Sequence, residues 1–400
     1  MKKYLIFIFI STLMSLQAQW VLQNSGTAED LNDTYCINAD TVIVVGNNAT
    51  ILRTDDGGTN WTQISNPANV SLRKIDFIDQ QTGFILGDNN VLLKTTDAGE
   101  HWQALNAVFV VNLHGLSCTD DKVFVSGENG KLYMSADLGN TWSSITTDTS
   151  AVLEIQMLDN STGFSHYSAE ILKTTDGGNT WTTVVCNNNT SFGIFDAGDQ
   201  MAVAQVTGNN FCMSSDNFDT SETLAVPSFD TYSALKIIDA NSFWLATVLP
   251  CGAPAVIKYE GEGDGFFAIC NLSTLFTDES IGDFAVAPDS ALTYAIGNNG
   301  LILKNPLGSN CNNYTVSLSD KPFDHLRIFP NPGQGLFRLS GLPESSLFYM
   351  ITDSQGKKLT PLKELKHDYI RVNYLPEGVY FIHLLSPESF AVKKLIIEKR

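Results

Sequence analysis

The feature that most constrains this chain is a short motif that recurs at a nearly constant spacing. Each copy reads Ser/Thr-x-Asp-x-Gly-x-x-Trp, and the four tryptophans lie 41, 40 and 39 residues apart. A fixed period of this size indicates a repeat architecture, in which each unit buries its apolar face against the next. The motif residues are Thr54, Asp56, Gly58, Trp61, Thr95, Asp97, Gly99, Trp102, Ser135, Asp137, Gly139, Trp142, Thr174, Asp176, Gly178 and Trp181.

Each repeat has the pattern of four short β-strands. In the second repeat, residues 71–78 alternate apolar and polar side chains, residues 82–87 and 91–95 are apolar runs, and residues 101–105 follow the motif. Alternation and short apolar runs bounded by turn residues are typical of strands. Four-stranded units repeated about every 40 residues are typical of propeller blades, so we predict an all-β chain whose main domain is a β-propeller.

A marker at the end of the second strand extends the blade count beyond the clear motifs. It is a glycine in the first three repeats, at Gly46, Gly87 and Gly127. We assign His166 and Gln205 to the equivalent places in repeats four and five. The marker therefore predicts blades where the motif itself is weaker.

The last repeats predict how the ring closes. In repeat five Phe218 stands where the motif has glycine, repeat six lacks the motif, and repeat seven, at 294–304, stops without a fourth strand. Residues 20–23 begin with the kind of tryptophan that opens a fourth strand, so we predict that they complete the last blade. Closure removes the exposed sheet edges of an open ring. We therefore predict seven blades within residues 19–310.

The N-terminus has the composition of an export signal. Lys2 and Lys3 precede an apolar run over residues 4–16, and Ala18 offers a small residue at the cleavage point. A membrane anchor is the alternative, but the run is shorter than the ~20 apolar residues that cross a bilayer. We predict a signal peptide over residues 1–18, a mature chain that begins at Gln19, and no later membrane span.

The C-terminal part has a different pattern from the repeats. Residues 311–323 are polar and contain Pro322, which predicts a linker. Residues 324–400 then carry segments typical of strands, separated by Pro, Gly and Asp turns. These segments are 328–339, 347–357, 375–384 and 391–397. We predict a small all-β sandwich that is large enough to fold by itself.

The charge is divided unevenly between the two parts. Residues 19–320 hold 10 Lys and Arg against 35 Asp and Glu, a net charge of −25, whereas residues 321–400 hold 12 against 8, a net charge of +4. An acidic body repels phosphate backbones, which argues against nucleic-acid binding. The acidic surface favours solubility, with attraction of basic partners as the alternative.

The cysteines allow disulfides but indicate no metal site. The seven are Cys36, Cys118, Cys186, Cys212, Cys251, Cys270 and Cys311. Export permits disulfides, and Cys186 with Cys212 and Cys251 with Cys270 are the short-range pairs. The odd count leaves at least one free thiol, and a buried free cysteine is the alternative for each. No CxxC is present.

Together, the Asp-containing turn, the glycine of the second strand and the closing tryptophan resemble Asp-box (BNR) repeats. Their arrangement is most similar to the photosystem II assembly factor and related bacterial propellers. The resemblance covers residues 20 to about 305 and implies the same fold. We expect that factor to use a basic surface, which the acidic body of this chain lacks, so the resemblance does not extend to the partner.

The C-terminal unit resembles the type A sorting domain of the type IX secretion system. The matching residues include Pro330, Asn331, Pro332, Gly335, Asp353, Gly356, Lys357, Gly378, Val379, Tyr380, Lys393, Lys394 and Leu395. The resemblance implies export through the periplasm and outer membrane, handling by the type IX machinery, and release or attachment at the cell surface. An ordinary surface-binding sandwich is the alternative.

The motif residues suit a turn better than an active site. Asp and the hydroxyl can bond backbone groups, Gly adopts conformations that other residues resist, and Trp can pack between blades. Calcium binding is the alternative, but the EF-hand spacing is absent, so we predict no metal. Sialidases also carry Asp-boxes, yet they hold the substrate carboxylate with three arginines, and residues 19–320 contain only Arg53 and Arg73.

No familiar catalytic motif such as HExxH, GxSxG or GxGxxG is present. Glu154 and Asp283 lie on predicted first strands near the central channel, although a solvated face residue is the favoured interpretation of each. His114 and His166 are further candidates for the channel lining, with a structural histidine as the favoured alternative. We predict no cofactor and a non-enzymatic protein that binds an extracellular protein or glycan. We expect binding at the end of the channel, which is built from loops between blades, and the irregular loop 250–254 is the most unusual of these. The alternative is a glycoside hydrolase or lyase that acts on an extracellular polysaccharide through two carboxylates.

Overall fold

In a computed structural model of the chain, the described residues form an almost entirely β structure. They are 20–107, 109–146, 154–167, 170–186, 192–198, 201–206, 210–225, 231–248, 254–260, 266–271, 279–288, 292–305, 314–317, 326–342, 348–353, 359–360, 363–386 and 389–398. Seven antiparallel sheets follow one another along the chain as the blades of a propeller, and two further sheets form the C-terminal domain.

The strands of the blades follow the predicted period. Blade one is β2 Leu31–Cys36, β3 Val42–Gly46, β4 Ile51–Thr54 and β5 Thr62–Gln63; blade two is β6 Leu72–Phe77, β7 Gly83–Gly87, β8 Leu92–Thr95 and β9 Gln103–Ala104. Blade three is β10 Leu113–Cys118, β11 Val123–Gly127, β12 Lys131–Ser135 and β13 Ser143–Thr146; blade four is β14 Glu154–Met157, β15 Gly163–Tyr167, β16 Glu170–Thr174 and β17 Thr182–Thr183.

The remaining blades are less regular in sequence but keep the same order. Blade five is β18 Phe192–Gly198, β19 Met201–Val206, β20 Asn210–Ser214 and β21 Glu222–Ala225; blade six begins with β22 Thr231–Asp239, β23 Ser242–Val248, β24 Pro254–Glu260 and β25 Phe266–Asn271. Blade seven has β26 Ile281–Val286, β27 Thr293–Gly297 and β28 Ile302–Asn305. Short 3-10 turns at Asp88–Asn90, Glu128–Gly130 and Asn298–Gly300 join second and third strands.

The outer strand of blade seven comes from the other end of the propeller. Strand β1, Val21–Leu22, pairs antiparallel with β28, with Val21 opposite Lys304 and Leu22 opposite Leu303. Trp20 is 3% exposed, and its ring lies edge-on to Trp244 with centroids 5.2 Å apart. The predicted closure of the ring by residues 20–23 is confirmed.

Burial explains the sequence pattern of the strands. All five residues of β3 and all five of β7 are buried, because the second strand of each blade is covered on both faces by neighbouring blades. Inner strands such as β6 alternate instead, since one face lines the channel. Near-continuous apolar runs and alternation are the two patterns expected for these environments.

Blade six contains a strand that the sequence did not predict. Residues 311–323 are predicted as a linker, yet Tyr314–Ser317 forms β29, which pairs antiparallel with β25 and makes this sheet five-stranded. The prediction rested on local polarity and Pro322. Within this stretch, however, Tyr314 and Val316 alternate with Thr315 and Ser317, which is a short strand pattern.

The C-terminal domain is the predicted β-sandwich. One sheet contains β30 Arg327–Phe329, β31 Leu336–Ser340 and β34 Tyr369–Arg371. The other contains β32 Phe348–Asp353, β33 Lys363–Glu364, β35 Gly378–Ser386 and β36 Ser389–Ile397. Their inner faces share a separate apolar core that includes Phe337, Ile351, Ile382 and Leu395.

A disulfide joins Cys186, which follows the outer strand of blade four, to Cys212 on β20 of blade five. Cys251 lies outside the described residues and only the backbone of Cys270 is described, so their predicted pair stays a prediction. Cys36 and Cys118 are free.

Removing the Cys186–Cys212 disulfide should lower the stability of the propeller. The closed loop spans 26 residues, and loop-closure entropy of that size corresponds to about 3 kcal/mol. We expect the C186A/C212A double variant to melt about 5–10 °C below the parent in a calorimetric scan. A reductant should shift the parent in the same direction and leave the double variant unchanged. Equal melting temperatures of parent and variant would contradict the prediction.

Candidate functional site

Asp-box turns join the third and fourth strands, and their polar groups bond within the turn. In blade four, the Thr174 hydroxyl donates to Asp176 Oδ1 and the Gly178 N–H donates to the Thr174 oxygen, both at 2.9 Å. The Thr180 N–H donates to Asp176 Oδ1 at 2.8 Å, and Trp181 Nε1 donates to the Gly178 carbonyl oxygen at 3.0 Å. Hydroxyl and carboxylate therefore act as the frame of the turn.

The same frame appears in blades one to three, and also in blade five. Ser214 donates to Asp216 Oδ1 at 2.8 Å, and Phe218 takes a φ of 65° where the motif has glycine. Hydrogen bonds from the Thr220 hydroxyl and N–H, and from Ser214, lower the pKa of Asp216 to about 2. The turn thus survives the loss of its glycine, because side-chain hydrogen bonds define it.

The motif tryptophans pack across the seams between blades. Trp102 of blade two lies in one apolar cluster with Ile43 of blade one. Trp61 of blade one lies edge-on to Tyr294 of blade seven, with centroids 6.1 Å apart. This burial uses the large apolar area of the indole ring to hold neighbouring blades together.

Basic side chains on third strands reach the Asp-box turn of the following blade. The pairs are Arg53 Nε with the Ala98 carbonyl oxygen, Lys94 Nζ with the Leu138 carbonyl oxygen, Lys173 Nζ with Asp219 Oδ1, and Lys304 Nζ with the Gly57 carbonyl oxygen. Arg53 is therefore engaged at the Asp-box end of the blades and lies away from the channel, as the argument against a sialidase requires.

One Asp-box turn also brings together groups that could contact a metal ion. Among the described residues, Asp97, Glu100 and His101 are the one such cluster. Both oxygens of Asp97 already have partners, because Oδ1 accepts the Thr95 hydroxyl and the His101 N–H while Oδ2 lies 2.7 Å from His101 Nδ1. The cluster is explained by the turn and gives no ground for a metal site.

The inner strands of all seven blades enclose a central channel with a volume of about 840 Å³. Its charged lining consists of five carboxylates and two lysines, which are Asp33, Asp76, Glu154, Asp196, Asp283, Lys74 and Lys236. We call the end where the inner strands begin the upper end; Glu154 and Gly282 lie there, and the Asp-box turns lie at the opposite end.

Most of these carboxylates, and also the side chains of Ser117 and Gln156, accept a hydrogen bond from a backbone N–H of the next blade. The donor–acceptor pairs are Ile75 to Asp33, Cys118 to Asp76, Met157 to Ser117, Ala197 to Gln156, Ile237 to Asp196 and Thr34 to Asp283, at 2.7–3.2 Å. The Ser233 hydroxyl bonds the Ile281 carbonyl oxygen across the remaining seam. The channel wall is therefore a ring of inter-blade hydrogen bonds, which satisfies backbone groups that lack partners in the sheet.

Burial in this wall changes the protonation of its groups. Burial raises the pKa of Asp76 to about 7, although N–H groups of Cys118 and Phe77 oppose the change. Burial also raises the pKa of Asp283 well above its usual range, and the adjacent Asp33 carboxylate adds to the effect.

The channel lysines remain charged. The Asp196 carboxylate, 3.5 Å from Lys236 Nζ, raises the pKa of that lysine, which keeps a 35% exposed side chain because it faces the channel space. For Lys74, burial opposes the charged form, but the carboxylates of Asp33 and Glu154 outweigh burial and raise the pKa.

The structure places the predicted channel residues unequally. Glu154, Asp283 and His166 line the channel as expected. The prediction for His114 is wrong: β10 has a register shift between Leu113 and Gly115, and the intervening His114 is 41% exposed with Nε2 3.8 Å from Glu128. The loop 250–253 lies outside the described residues.

The second-strand marker was also assigned one residue too early in repeats four and five. Gly83 pairs with Thr95 and Gly163 with Thr174, which aligns Tyr167 with Gly87 and His166 with Leu86. Gln205 pairs with Phe211 and is aligned with Leu86 in the same way. Most blades have an apolar residue at the Leu86 position. Because the repeats differ slightly in length, the sequence did not show that the marker was placed one residue too early.

Replacing Asp76 should reduce the dependence of stability on pH. The pKa of this carboxyl is about 4 in the unfolded chain and about 7 in the folded protein. It therefore adds to the free energy of unfolding below pH 4, and that contribution is lost as the pH rises through 7. The loss corresponds to about 2–4 kcal/mol. We expect D76N to flatten the fall in urea-unfolding free energy between pH 5 and 8, while D121N at an exposed turn should not. A parallel pH profile for D76N would contradict this.

The predicted sorting residues brace the C-terminal sandwich. Asn331 Nδ2 donates to the Lys394 carbonyl oxygen at 2.7 Å, and its Oδ1 accepts the Ile396 N–H at 2.8 Å. Gly335 has a φ of 91°, and a side chain there would meet the backbone of Asn373. The motif thus fastens the last strand of the domain.

These features define a class: a seven-bladed Asp-box propeller followed by a small sandwich domain. Residues 13–109 match the family described as photosynthesis system II assembly factor YCF48, and residues 327–398 match the secretion system C-terminal sorting domain. A search of the curated proteins finds no match. The chain therefore combines a YCF48-like propeller with a type IX sorting domain.

Solved structures agree with the fold. YCF48 bound to D1 peptide has 17% identity and a TM-score of 0.59 over 72% of this chain and 96% of that chain. YCF48 from Cyanidioschyzon merolae has 14% identity and a TM-score of 0.59 over 72% and 98%. Raptor from Chaetomium thermophilum has 12% identity and a TM-score of 0.55 over 72% of this chain and 29% of that one. At these identities the likeness shows the fold alone.

The sorting domain establishes the destination. It marks the chain for type IX export, followed by secretion or attachment at the cell surface. In the described part of the chain there is no helix that could cross a bilayer.

Proposed function

We propose that this exported propeller is a non-enzymatic binding protein whose channel receives part of an extracellular protein at the upper end. In this proposal residues 1–18 are the signal peptide, 19–310 the propeller, 311–323 the connection, of which Tyr314–Ser317 also pairs with blade six, and 324–400 the sorting domain. The observation that carries the proposal is the channel with the space at its upper end. Among the described residues, no atom lies within 4 Å of a side chain added at Gly282, and the channel volume is about 840 Å³.

A protein segment suits this lining better than a glycan. Sugar rings are held by exposed aromatic faces, whereas three of the five aromatic residues in the lining, Phe164, Tyr232 and Phe284, are at most 8% exposed, and Tyr35 and Phe195 are only partly exposed. Seven charged residues and two glutamines also line the channel. A similar propeller has been solved with a bound peptide, which supports the same kind of ligand here.

Hydrolysis of a polysaccharide is the second candidate, because the pKa of Asp76 at about 7 would suit a general acid. However, Asp76 accepts N–H groups at 2.7 and 2.8 Å from Cys118 and Phe77, which is a structural use of both oxygens. Release of reducing sugar from a polysaccharide panel, lost in D76N, would favour this candidate.

Blocking the channel should abolish partner binding. Peptides selected from a random 12-residue display library against the full chain should bind G282A like the parent. G282W should bind them at least tenfold more weakly, because the indole would fill open space at the upper end. Equal binding by G282W, or no selected peptide, would overturn the proposal; binding on a glycan array instead would favour the glycan ligand.

A further inference from the structure

Several residues of the sorting motif use their polar groups inside the C-terminal domain. Both side-chain groups of Asn331 bond the backbone of the last strand, and Gly335 lies against the backbone of Asn373. The Tyr380 side chain is buried, and its hydroxyl donates to the Pro376 carbonyl oxygen at 2.9 Å. These contacts build the sandwich, and by themselves they do not explain how another protein recognises the folded domain.

The outer face of the smaller sheet is basic and partly apolar. Burial alternates along its strands, so that Phe337, Leu339 and Ile370 face the core and their neighbours face outwards. Six outward side chains form what we call the arginine face: Arg327 and Phe329 on β30, Leu336 and Arg338 on β31, and Tyr369 and Arg371 on β34.

The register of the sheet brings the three arginines together. Arg338 lies between Phe329 and Tyr369, which are its partners on the two neighbouring strands. Arg327 and Arg371 are two residues further along those strands, so each lies diagonally across from Arg338, at about 7–8 Å in such sheets. Like charges at this distance repel one another, and an anionic partner would neutralise them.

No carboxylate balances this charge on the three strands. Their sequences, Arg-Ile-Phe, Leu-Phe-Arg-Leu-Ser and Tyr-Ile-Arg, contain neither Asp nor Glu. The ion pairs among the described residues include Arg53 and Arg73 but none of these three arginines. Arg371 lies 5.6 Å from the centre of the Tyr369 ring, which leaves its N–H groups available. The arginine face can therefore pair with carboxylates from outside the chain.

The residue types on this face favour a protein as the ligand. Residues 321–400 hold eight lysines and four arginines, yet β30, β31 and β34 carry three arginines and no lysine. A guanidinium binds a carboxylate through two parallel hydrogen bonds, which an ammonium does not. Phe329 and Leu336 are 47% and 49% exposed. Exposed aromatic side chains together with arginine are typical of protein interfaces.

We propose that the arginine face is the surface by which the sorting domain docks on an acidic protein segment of the type IX machinery. Its arginines pair with Asp and Glu side chains of that segment, and Phe329 and Leu336 pack against apolar side chains between them. This inference goes beyond the function proposed for the propeller, because it concerns export and does not involve the channel.

Secretion of the full chain provides the first test. In R327E/R338E/R371E, called the arginine variant, the amount of protein at the cell surface and in the medium should fall at least tenfold. The protein should collect in the periplasm, because repulsion replaces pairing. Its melting temperature should stay within a few degrees of the parent, since the three side chains are exposed. Normal secretion of the arginine variant would overturn the proposal.

Two further variants separate docking from net charge and from folding. K321E/K358E/K363E changes the net charge equally outside the three strands and should be secreted like the parent. R327K/R338K/R371K keeps the charge and the exposed positions but loses the paired hydrogen bonds, so its secretion should fall at least twofold. An equal loss in the glutamate variant of the lysines, or full secretion of the lysine variant of the arginines, would contradict the proposal.

Peptide selection tests the chemistry of the ligand. Peptides from a random display library that bind the full chain but not the arginine variant should be rich in Asp and Glu. Replacing their carboxylates by amides should weaken binding at least tenfold. Absence of such peptides would overturn the proposal. Arginine-dependent binding to phosphatidylglycerol vesicles, or arginine-dependent self-association in size-exclusion chromatography, would instead assign the face to a lipid surface or to a second copy of the chain.

Discussion

Deleting residues 324–400 should leave the protein in the periplasm, with at least about 90% of it absent from the culture medium and cell surface. The sorting domain directs the chain to type IX export. Its removal should stop transport across the outer membrane without affecting export into the periplasm. The measurement is an immunoblot of periplasmic, surface and medium fractions from a bacterium with this secretion system.

The effect should come from lost recognition, since the deleted part has its own apolar core. The truncated propeller should therefore melt as the parent propeller does. As the matched control, residues 324–400 fused to an unrelated exported protein should carry it across the outer membrane. Normal secretion of the truncated chain would refute the sorting role.

Trp20→Ala should destabilise the propeller by about 3–5 kcal/mol, the usual cost of removing a buried tryptophan. Trp20 is 3% exposed, and its ring lies 5.2 Å from Trp244 and 6.2 Å from Phe284, measured between centroids. The substitution leaves a cavity under the strand that closes the ring. We expect a lower urea midpoint and early proteolysis at the N-terminus.

The neighbouring strand residues provide the control for Trp20. Val21 and Leu22 are 48% and 47% exposed, so alanine at either should cost less than about 1 kcal/mol. Trp20→Phe should fall between these values and the alanine variant. If Trp20→Ala unfolds at the same urea concentration as Val21→Ala, the ring does not depend on this closure.

The repeat pattern was sufficient to predict the blades and the closure of the ring. Equivalent strands are buried in the same way in each blade, so apolar residues recur at a regular spacing in the sequence. It also predicted that Glu154 and Asp283 lie at the channel. The contacts between blades were not predictable. The hydrogen bonds from Lys94 to the Leu138 carbonyl oxygen and from the Cys118 N–H to Asp76 form only at a particular rotation between successive sheets. The sequence does not give that rotation.

Local irregularities account for the wrong assignments. The register shift in β10 moves His114 out of the channel, and the marker assignment in repeats four and five was one residue too early because Tyr167 and Val206 stand where glycine was expected. Strand β29 was missed because the polar residues around it and Pro322 outweighed the short alternation of Tyr314 and Val316 with Thr315 and Ser317.

The pairing of Val21 with Lys304 has a consequence for the order of assembly. The first strand of the propeller to leave the ribosome waits for a partner encoded more than 280 residues later, so the ring stays open until nearly the whole propeller has emerged. Such distant contacts are slow to form because the chain entropy between them is lost before the contact forms. Blades one to six can therefore form in turn, whereas blade seven becomes complete only when β1 meets β28.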